Sequence, residues 1–337
     1  MSSWTIPRRK LRPTIASVAP LRAVEGGRIT LTGSGFPIDT IPEVTVGGQR
    51  ALVAFASSTR IAVAIPPDVE PGPAPIRIED LPGATAYVTV GGAWATGLHQ
   101  VDNPVFDADG NLFVTYSGSR GQESPVSIFR VTRAGTREPF VSGIVNATSM
   151  AIGPDGQLYV SSRFEGAVYR VRHEGSHELV VSELGVACGL AFDSEGDLYV
   201  GDRSGTIFRV RDGKAEPFAT LPASVAAFHL AMSPDSDLFA SGPTLSTYDH
   251  VYRIGSDGTV RSVLATFGRP QGLAFSPVDG NLHVVDALAG RSGLYRLKDL
   301  DAEPELLVAG CGFIGVAFGP SGEMAVVSND TAYRFDS

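Results

Sequence analysis

Gly189-Leu-Ala-Phe-Asp-Ser-Glu-Gly196-Asp-Leu-Tyr-Val200, followed by Gly205-Thr-Ile-Phe-Arg-Val210, is the stretch on which the reading of this chain turns. It returns as Met150-Ala-Ile-Gly-Pro-Asp-Gly156-Gln-Leu-Tyr-Val160 with Gly166-Ala-Val-Tyr-Arg-Val171, and again around Gly272-Leu-Ala-Phe275, Gly280-Asn-Leu-His-Val284 and Leu294-Tyr-Arg-Leu297. The turn residues Gly110, Gly156, Gly196, Ser236 (in a glycine's place), Gly280 and Gly322 are spaced by 46, 40, 40, 44 and 42 residues. Each unit reads as an apolar strand, a tight polar turn, a Leu-Tyr-Val-like strand, a loop, an aromatic-Arg-aliphatic strand and a fourth strand such as 215–220. Asp-Gly and similar pairs between such strands are hairpin turns. Four short strands per unit, repeated six times, predict a six-bladed β-propeller over residues 93–337.

The sixth unit ends at Tyr333-Arg-Phe335, after its third strand. A candidate for the missing strand lies before the first unit, in Gly92-Ala-Trp-Ala-Thr-Gly97, which resembles 216–220. The expectation is that this N-terminal strand completes the last blade and closes the ring, leaving no open sheet edge. Inner strands such as Leu190-Ala-Phe192 are apolar throughout, as required where neighbouring blades cover both faces. The pairs Phe129-Arg130, Tyr169-Arg170, Phe208-Arg209, Tyr252-Arg253, Tyr295-Arg296 and Tyr333-Arg334 recur once per blade. Such arginines read as structural, with the stem on apolar surface and the head paired at the blade edge.

Residues 11–92 read differently. Short β-rich runs at 14–18, 28–32, 43–46, 51–55, 60–65, 74–79 and 84–90 are separated by Gly and Pro turns, which predicts an antiparallel, immunoglobulin-like sandwich. Pro13-Thr-Ile-Ala-Ser-Val-Ala-Pro20, Gly26-Gly-Arg-Ile-Thr-Leu-Thr-Gly33-Ser-Gly-Phe36, Val44-Thr-Val-Gly-Gly48 and Ile65-Pro-Pro67 resemble an IPT/TIG domain. The resemblance implies a spacer or a protein-contacting module. The repeats resemble NHL-repeat and gluconolactonase-like (senescence-marker-protein-like) propellers. The whole chain is thus expected to be all-β.

A net charge of −9 argues against a nucleic-acid partner, because phosphate binding needs clustered Lys and Arg. The one basic run, Arg8-Arg9-Lys10 with Arg12, reads as a solvated arm. No secretory leader and no apolar run of membrane-spanning length is legible, so a cytoplasmic protein without membrane contact is expected. Two cysteines, Cys188 and Cys311, fall in repeats that face each other across the ring and read as two buried structural thiols.

Residues just before each inner strand should ring one mouth of the channel: Asp102, Thr148, Cys188, Phe228, Gln271 and Ile314. Residues ending the second strands should join them: Tyr116, Arg163, Asp202 with Arg203, Asp286 and Asn329. From the second strand to the aromatic of the third, the gaps are 15, 9, 8, 12, 11 and 7 residues, so loops 117–127, 242–250 and 287–293 should raise walls. A walled mouth with mixed polar groups is a binding-site candidate for a small molecule, glycan or peptide.

The gluconolactonase resemblance implies a divalent cation such as calcium, held where the family opens its first inner strand with an acidic residue. Asp102-Asn-Pro104 is a partial match, and Asp202 and Asp286, with Asn329, are the remaining candidates for the shell. The same aspartates could instead cap turns or pair with Arg163, Arg203 and Arg291. His229 stands where Ser149, Gly189, Gly272 and Gly315 stand in other repeats. It could serve as a general base near the mouth, or fill space around a channel narrowed by Phe228. Cys188 reads either as a nucleophile activated by Arg203 or as a buried thiol. Tyr248, Asp249 and His250 belong to the fourth wall, where loop hydrogen bonding is expected; His99 has no partner legible in the sequence. A binding propeller is the favoured reading, and a metal-dependent lactone or ester hydrolase is the rival.

Overall fold

A computed structural model describes residues 14–37, 39–79, 81, 85–263 and 267–335. The basic run at 8–12 and the first residues of the predicted sandwich lie outside them. The chain divides into two compact units at Gly92/Ala93, with Val308–Gly310 grouped with the first. Among the described residues every regular element is a strand.

The first unit is a sandwich. Thr14–Ala19, Arg28–Ser34, Arg60–Ala64 and Gln49–Ala56 form one antiparallel run in that spatial order. Gln49–Ala56 then turns the corner to pair with Val44–Val46, which is followed by Gly72–Ile78 and Thr85–Val90. Ile29, Leu31, Ile61, Val63, Val44, Val46, Ile76 and Ile78 are buried between the layers. Their alternation in Arg28–Ser34 follows from the two-residue period of a strand with one face covered.

The second unit repeats a four-strand meander. Blade one is Val105–Phe106, Leu112–Thr115, Ile128–Val131 and Arg137–Val141. Blade two is Ala147–Ile152, Leu158–Ser162, Ala167–Val171 and His177–Val181. Blade three is Ala187–Phe192, Leu198–Asp202, Thr206–Arg211 and Lys214–Thr220. Blade four is His229–Met232, Leu238–Ser241, Tyr252–Ile254 and Val260–Ser262. Blade five is Pro270–Phe275, Leu282–Asp286, Gly293–Leu297 and Glu305–Ala309. Blade six takes Phe313–Phe318, Met324–Ser328 and Ala332–Arg334 from the end of the chain, and Gly92–Ala95 as its outer strand.

Closure is visible in the packing. One apolar cluster joins Ala317, Ala325, Val327 and Ala332 of blade six to Phe106, Leu112, Val114 and Val131 of blade one, with Trp94 among them. Trp94 also donates its indole N–H to the Thr132 carbonyl at 3.1 Å. Similar clusters seal blade one to two, two to three, three to four and four to five. The inner strands of blades five and six, Pro270–Phe275 and Phe313–Phe318, also pack on each other, so each blade has both faces covered and its strands carry few polar positions.

The repeated arginines behave as edge braces. Arg130 pairs with Glu138, Arg170 with Asp155 and Glu178, Arg253 with Asp237, and Arg296 with Asp279 and Glu305. Arg209 lies over the Phe218 ring and Arg334 over Trp94. The ruler residue Ser236 holds a φ of 65°, and the glycines that stand at the other five positions are also left-handed. An L side chain resists that region, so the serine there is strained.

Candidate functional site

Inner strands start, and second strands end, at the same side of the ring. The sequence-predicted mouth residues divide there into three groups according to what their side chains touch.

The first group stitches the backbone. Asp202 Oδ1 accepts the Val186 N–H at 2.8 Å, and Oδ2 accepts the Ser204 hydroxyl. A Cβ on Gly185 would meet that carboxylate at 2.8 Å, so the glycine makes the close approach possible. Asp286 accepts three backbone N–H groups, from Gly268 at 3.1 Å, Arg269 at 2.9 Å and Leu288 at 3.0 Å. Thr148 donates to the Asn146 carbonyl at 2.8 Å, and Cys188 makes the equivalent sulfur contact with the Val186 carbonyl at 3.2 Å. Asn329 donates to the Gln100 carbonyl at 3.0 Å, while the main chain of Gln271 accepts the Ser241 hydroxyl at 2.5 Å.

Two expectations are corrected here. Asp102, Asp202 and Asp286 do not form a cation shell: among the described residues no three His, Cys, Asp or Glu side chains come together in a way that could hold a metal. The reason is local, since both Asp202 and Asp286 spend their oxygens on the loops that enter and leave the first hairpin of their own blade. The donor set therefore does not suit the calcium ion that the family resemblance implies, which needs six to eight free oxygens. Cys188 is equally unsuited as a nucleophile. Burial pushes its thiol up to about 12, with the Phe228 main chain and Arg163 opposing the rise. Cys311 also departs from the reading of two buried thiols, because it is exposed.

The second group fills the channel. Gln100, Asp102 and Asn103 leave the track of the blade-one inner strand, which keeps only Val105–Phe106. Gln100 donates to the Asp102 carbonyl at 2.7 Å and accepts the Thr115 N–H at 2.7 Å. Asn103 donates to Leu273 at 2.9 Å and accepts the Val316 N–H at 3.0 Å, linking blades one, five and six. A Cβ on Gly272 would sit 2.1 Å from Asn103 Oδ1, and one on Gly315 would sit 2.7 Å from the Asn103 Cα. That explains the small residues at those two positions.

Asp102 reaches the blade on the far side of the ring. Its Oδ1 meets His229 Nδ1 at 2.5 Å and also accepts the Asn103 N–H at 2.6 Å. The two side chains are 1% and 0% exposed, so this is a buried pair. His229 Nε2 and Asp102 Oδ2 are both buried without a protein partner. Phe228 does not narrow the channel. It packs into the core between blades three and four, with its ring against the space left by Gly242 and its Cβ against Gly201.

The third group stays at the rim. Tyr116, Phe164 and Tyr248 are exposed, and His99 stacks edge-to-face on Tyr116 with centroids 6.0 Å apart. Arg203 is exposed and Arg163 half-buried. Burial lowers the Arg163 pKa; the Cys188 thiol opposes that, and the like charges of Arg120 and Arg203 add to it. Burial, then Arg163, lowers that of His99. The fourth wall is organised by Asp249, which accepts the Thr244 N–H at 3.1 Å and its hydroxyl at 2.6 Å. Sequence reasoning missed Gln100, Asn103, Arg120 and Asn146; none has a counterpart in the repeat, and only the fold shows where they go.

A groove of about 310 Å³ also opens between blades four and five at the opposite, turn side, lined by Pro234, Asp235, Asp237, Gly280 and Asp299. Its Asp237 is already paired with Arg253, so it presents less uncommitted chemistry than the mouth.

Residues 13–91 match the IPT/TIG domain family. No curated protein matches the sequence. An auxiliary nutrient binding protein from Bacteroides thetaiotaomicron superposes over 96% of this chain and 97% of its own, with a TM-score of 0.56 at 12% identity. A gluconolactonase from Xanthomonas campestris superposes over 72% of this chain and 88% of its own, with a TM-score of 0.59 at 15% identity. A catalytically inactive virginiamycin B lyase from Staphylococcus aureus, solved with quinupristin, covers 98% of this chain and 97% of its own, with a TM-score of 0.51 at 12% identity. Residues 13–91 are therefore an IPT/TIG domain, and the propeller that follows shares its fold with the nutrient-binding, gluconolactonase and lyase structures. Likeness at such identities speaks for the fold, and activity has to be argued from the site.

Proposed function

We propose that the propeller is a binding module that takes a small molecule, glycan or peptide at the mouth where its inner strands begin. One observation carries this reading: the carboxylates of blades three and five are committed to backbone N–H groups, while Tyr116, Phe164 and Tyr248 remain exposed at the rim. Exposed aromatic rings at a concave mouth take the apolar faces of ligands, and their hydroxyls add direction. The nutrient-binding description of the Bacteroides protein, which shares the architecture over nearly its whole length, supports the same reading. The IPT/TIG domain, with Leu52, Phe55 and Tyr87 exposed, is proposed to contact a protein partner.

Calorimetry with a panel of sugars, oligosaccharides, amino acids and short peptides tests the mouth. Ligands found should lose affinity in the double variant Tyr116→Ala, Phe164→Ala. Undiminished binding in that variant would move the site elsewhere.

A second reading, a hydrolase of lactones or esters, is favoured by the buried Asp102–His229 pair. In it His229 Nε2 would take a proton from water and Asp102 would hold the imidazole in the required tautomer. No step runs through a cation, and the channel floor would have to open to admit substrate. Lactone hydrolysis abolished by His229→Gln in a folded chain would replace the binding reading.

A further inference from the structure

We propose that the mouth beside blades one to three selects a small anion, a ligand whose carboxylate or phosphate group is held by Arg120, Arg163 and Arg203. This deepens the binding reading and rests on it.

The arrangement is built by one side chain. Asn146, 2% exposed and held at a φ of 51°, closes the base of the blade-one wall onto the start of blade two. Its Nδ2 donates to the carbonyls of Ser117 at 2.6 Å and Ser119 at 2.9 Å, and its Oδ1 accepts the Gly121 N–H at 2.7 Å. Its main-chain carbonyl accepts the Arg163 N–H at 3.4 Å. Arg120, between Ser119 and Gly121, is thereby brought to the same clamp as Arg163. The two walls also touch directly, since a Cβ on Gly121 would stand 2.8 Å from the Phe164 ring.

Arg203 repeats the Arg163 position one blade on, with its N–H donating to the Val186 carbonyl at 3.2 Å. Three guanidinium-bearing positions from three consecutive blades thus converge on one sector of the rim. Among the described residues none of the three makes an ion pair, whereas the blade-edge arginines 130, 170, 253 and 296 all do. In a chain of net charge −9, three like charges gathered without a direct ion pair are an exception. The Cys188 thiol beside them stays protonated, and Asp202 spends its hydrogen bonds on Val186 and Ser204 and not on an arginine.

Beneath these residues the Ser117 hydroxyl is fully buried and has no hydrogen-bond partner among the described residues. Tyr116 and Phe164, exposed on either side, supply ring faces beside the charges. A planar guanidinium pair next to aromatic rings suits an oxyanion carried on a ring or a short chain.

The test uses the intact chain and matched probes in calorimetry: methyl glucuronide against methyl glucoside, an acetylated dipeptide acid against its amide, and inorganic phosphate alone. The acid member of at least one pair should bind at least about tenfold tighter than its neutral partner. That preference should shrink as salt is raised. Arg163→Gln and Arg203→Gln should each remove about tenfold of that affinity, with melting curves unchanged, while Arg261→Gln on an outer strand should have no effect. Which pair discriminates tells a sugar acid from a peptide terminus, and phosphate binding alone assigns the site to a phosphoryl group. Neutral ligands that bind at the mouth with no preference for the acid, or anions whose affinity survives both arginine variants, would overturn the inference and leave the binding reading standing. Absence of binding by charged and neutral probes alike would overturn both.

Discussion

The incoming segments of blades three and five and that of blade one use the same residue type to opposite ends. In blades three and five an aspartate closes the second strand and folds back onto its own blade, where Val186, or Gly268, Arg269 and Leu288, supply N–H groups. In blade one the aspartate precedes the inner strand and crosses to His229 of blade four. The first arrangement is a local staple. The second ties together two halves of the ring that share no hydrogen-bonded sheet. All three carboxylates accept a local N–H, that of Asn103 in the case of Asp102; what sets Asp102 apart is that the same oxygen also reaches the imidazole of a distant blade.

The sharpest way to break the contrast is chemical. Cys188, sealed in the blade-three segment with its thiol pushed up to about 12, should resist iodoacetamide at pH 8 in the folded chain, while exposed Cys311 reacts. A raised value means that about one thiol in ten thousand is ionised at that pH, so labelling measured by mass spectrometry should differ by orders of magnitude until urea unfolds the protein. Equal labelling would mean that blade three is open at the mouth.

Next in size is the pair across the channel. Asp102→Ala leaves His229 buried without its partner and should cost about 3 kcal/mol in urea denaturation. Asp286→Ala orphans three N–H groups and should cost about 2 kcal/mol. If Asp286→Ala proved the costlier, the link across the ring would be the weaker device and the local staple the stronger. Smallest is Ser236→Gly in the blade-four turn. It should stabilise the chain by about 0.5 kcal/mol, because relief of a left-handed serine is partly offset by the entropy of glycine in the unfolded state. A loss of stability there would show that the serine's side chain matters more than its φ.

The repeat was legible because its turns need a left-handed residue at one position per blade, and only glycine takes that conformation freely, so the spacing of glycines wrote out the blades. The closing strand was legible for a similar reason: Trp94 and its neighbours match the outer strand of an intact blade. The direction of a side chain at a strand end was not legible. Asp102, before an inner strand, and Asp202 and Asp286, at the ends of second strands, all read as free mouth carboxylates, yet which backbone N–H groups stand within 3 Å is decided by loops that the repeat does not encode. Phe228 was misread for want of one clue present in the chain. Gly201 stands where blades two and four carry Ser161 and Ser241, and Gly242 follows one residue later, so the two glycines vacate the volume its ring occupies. Arg120 sits in a wall of irregular sequence, and its convergence with Arg163 depends on the side chain of Asn146.

Blade six sets an order of events for the growing polypeptide. Its outer strand, Gly92–Ala95, is synthesised before any other part of the ring, and its partner Ala332–Arg334 only after the other five blades. Trp94 must therefore wait, with its indole uncovered, while five blades assemble beside it. During that interval the nascent chain offers a sticky strand and an unpaired edge to anything that would add to it, which makes the closing step the point at which a chaperone would matter most.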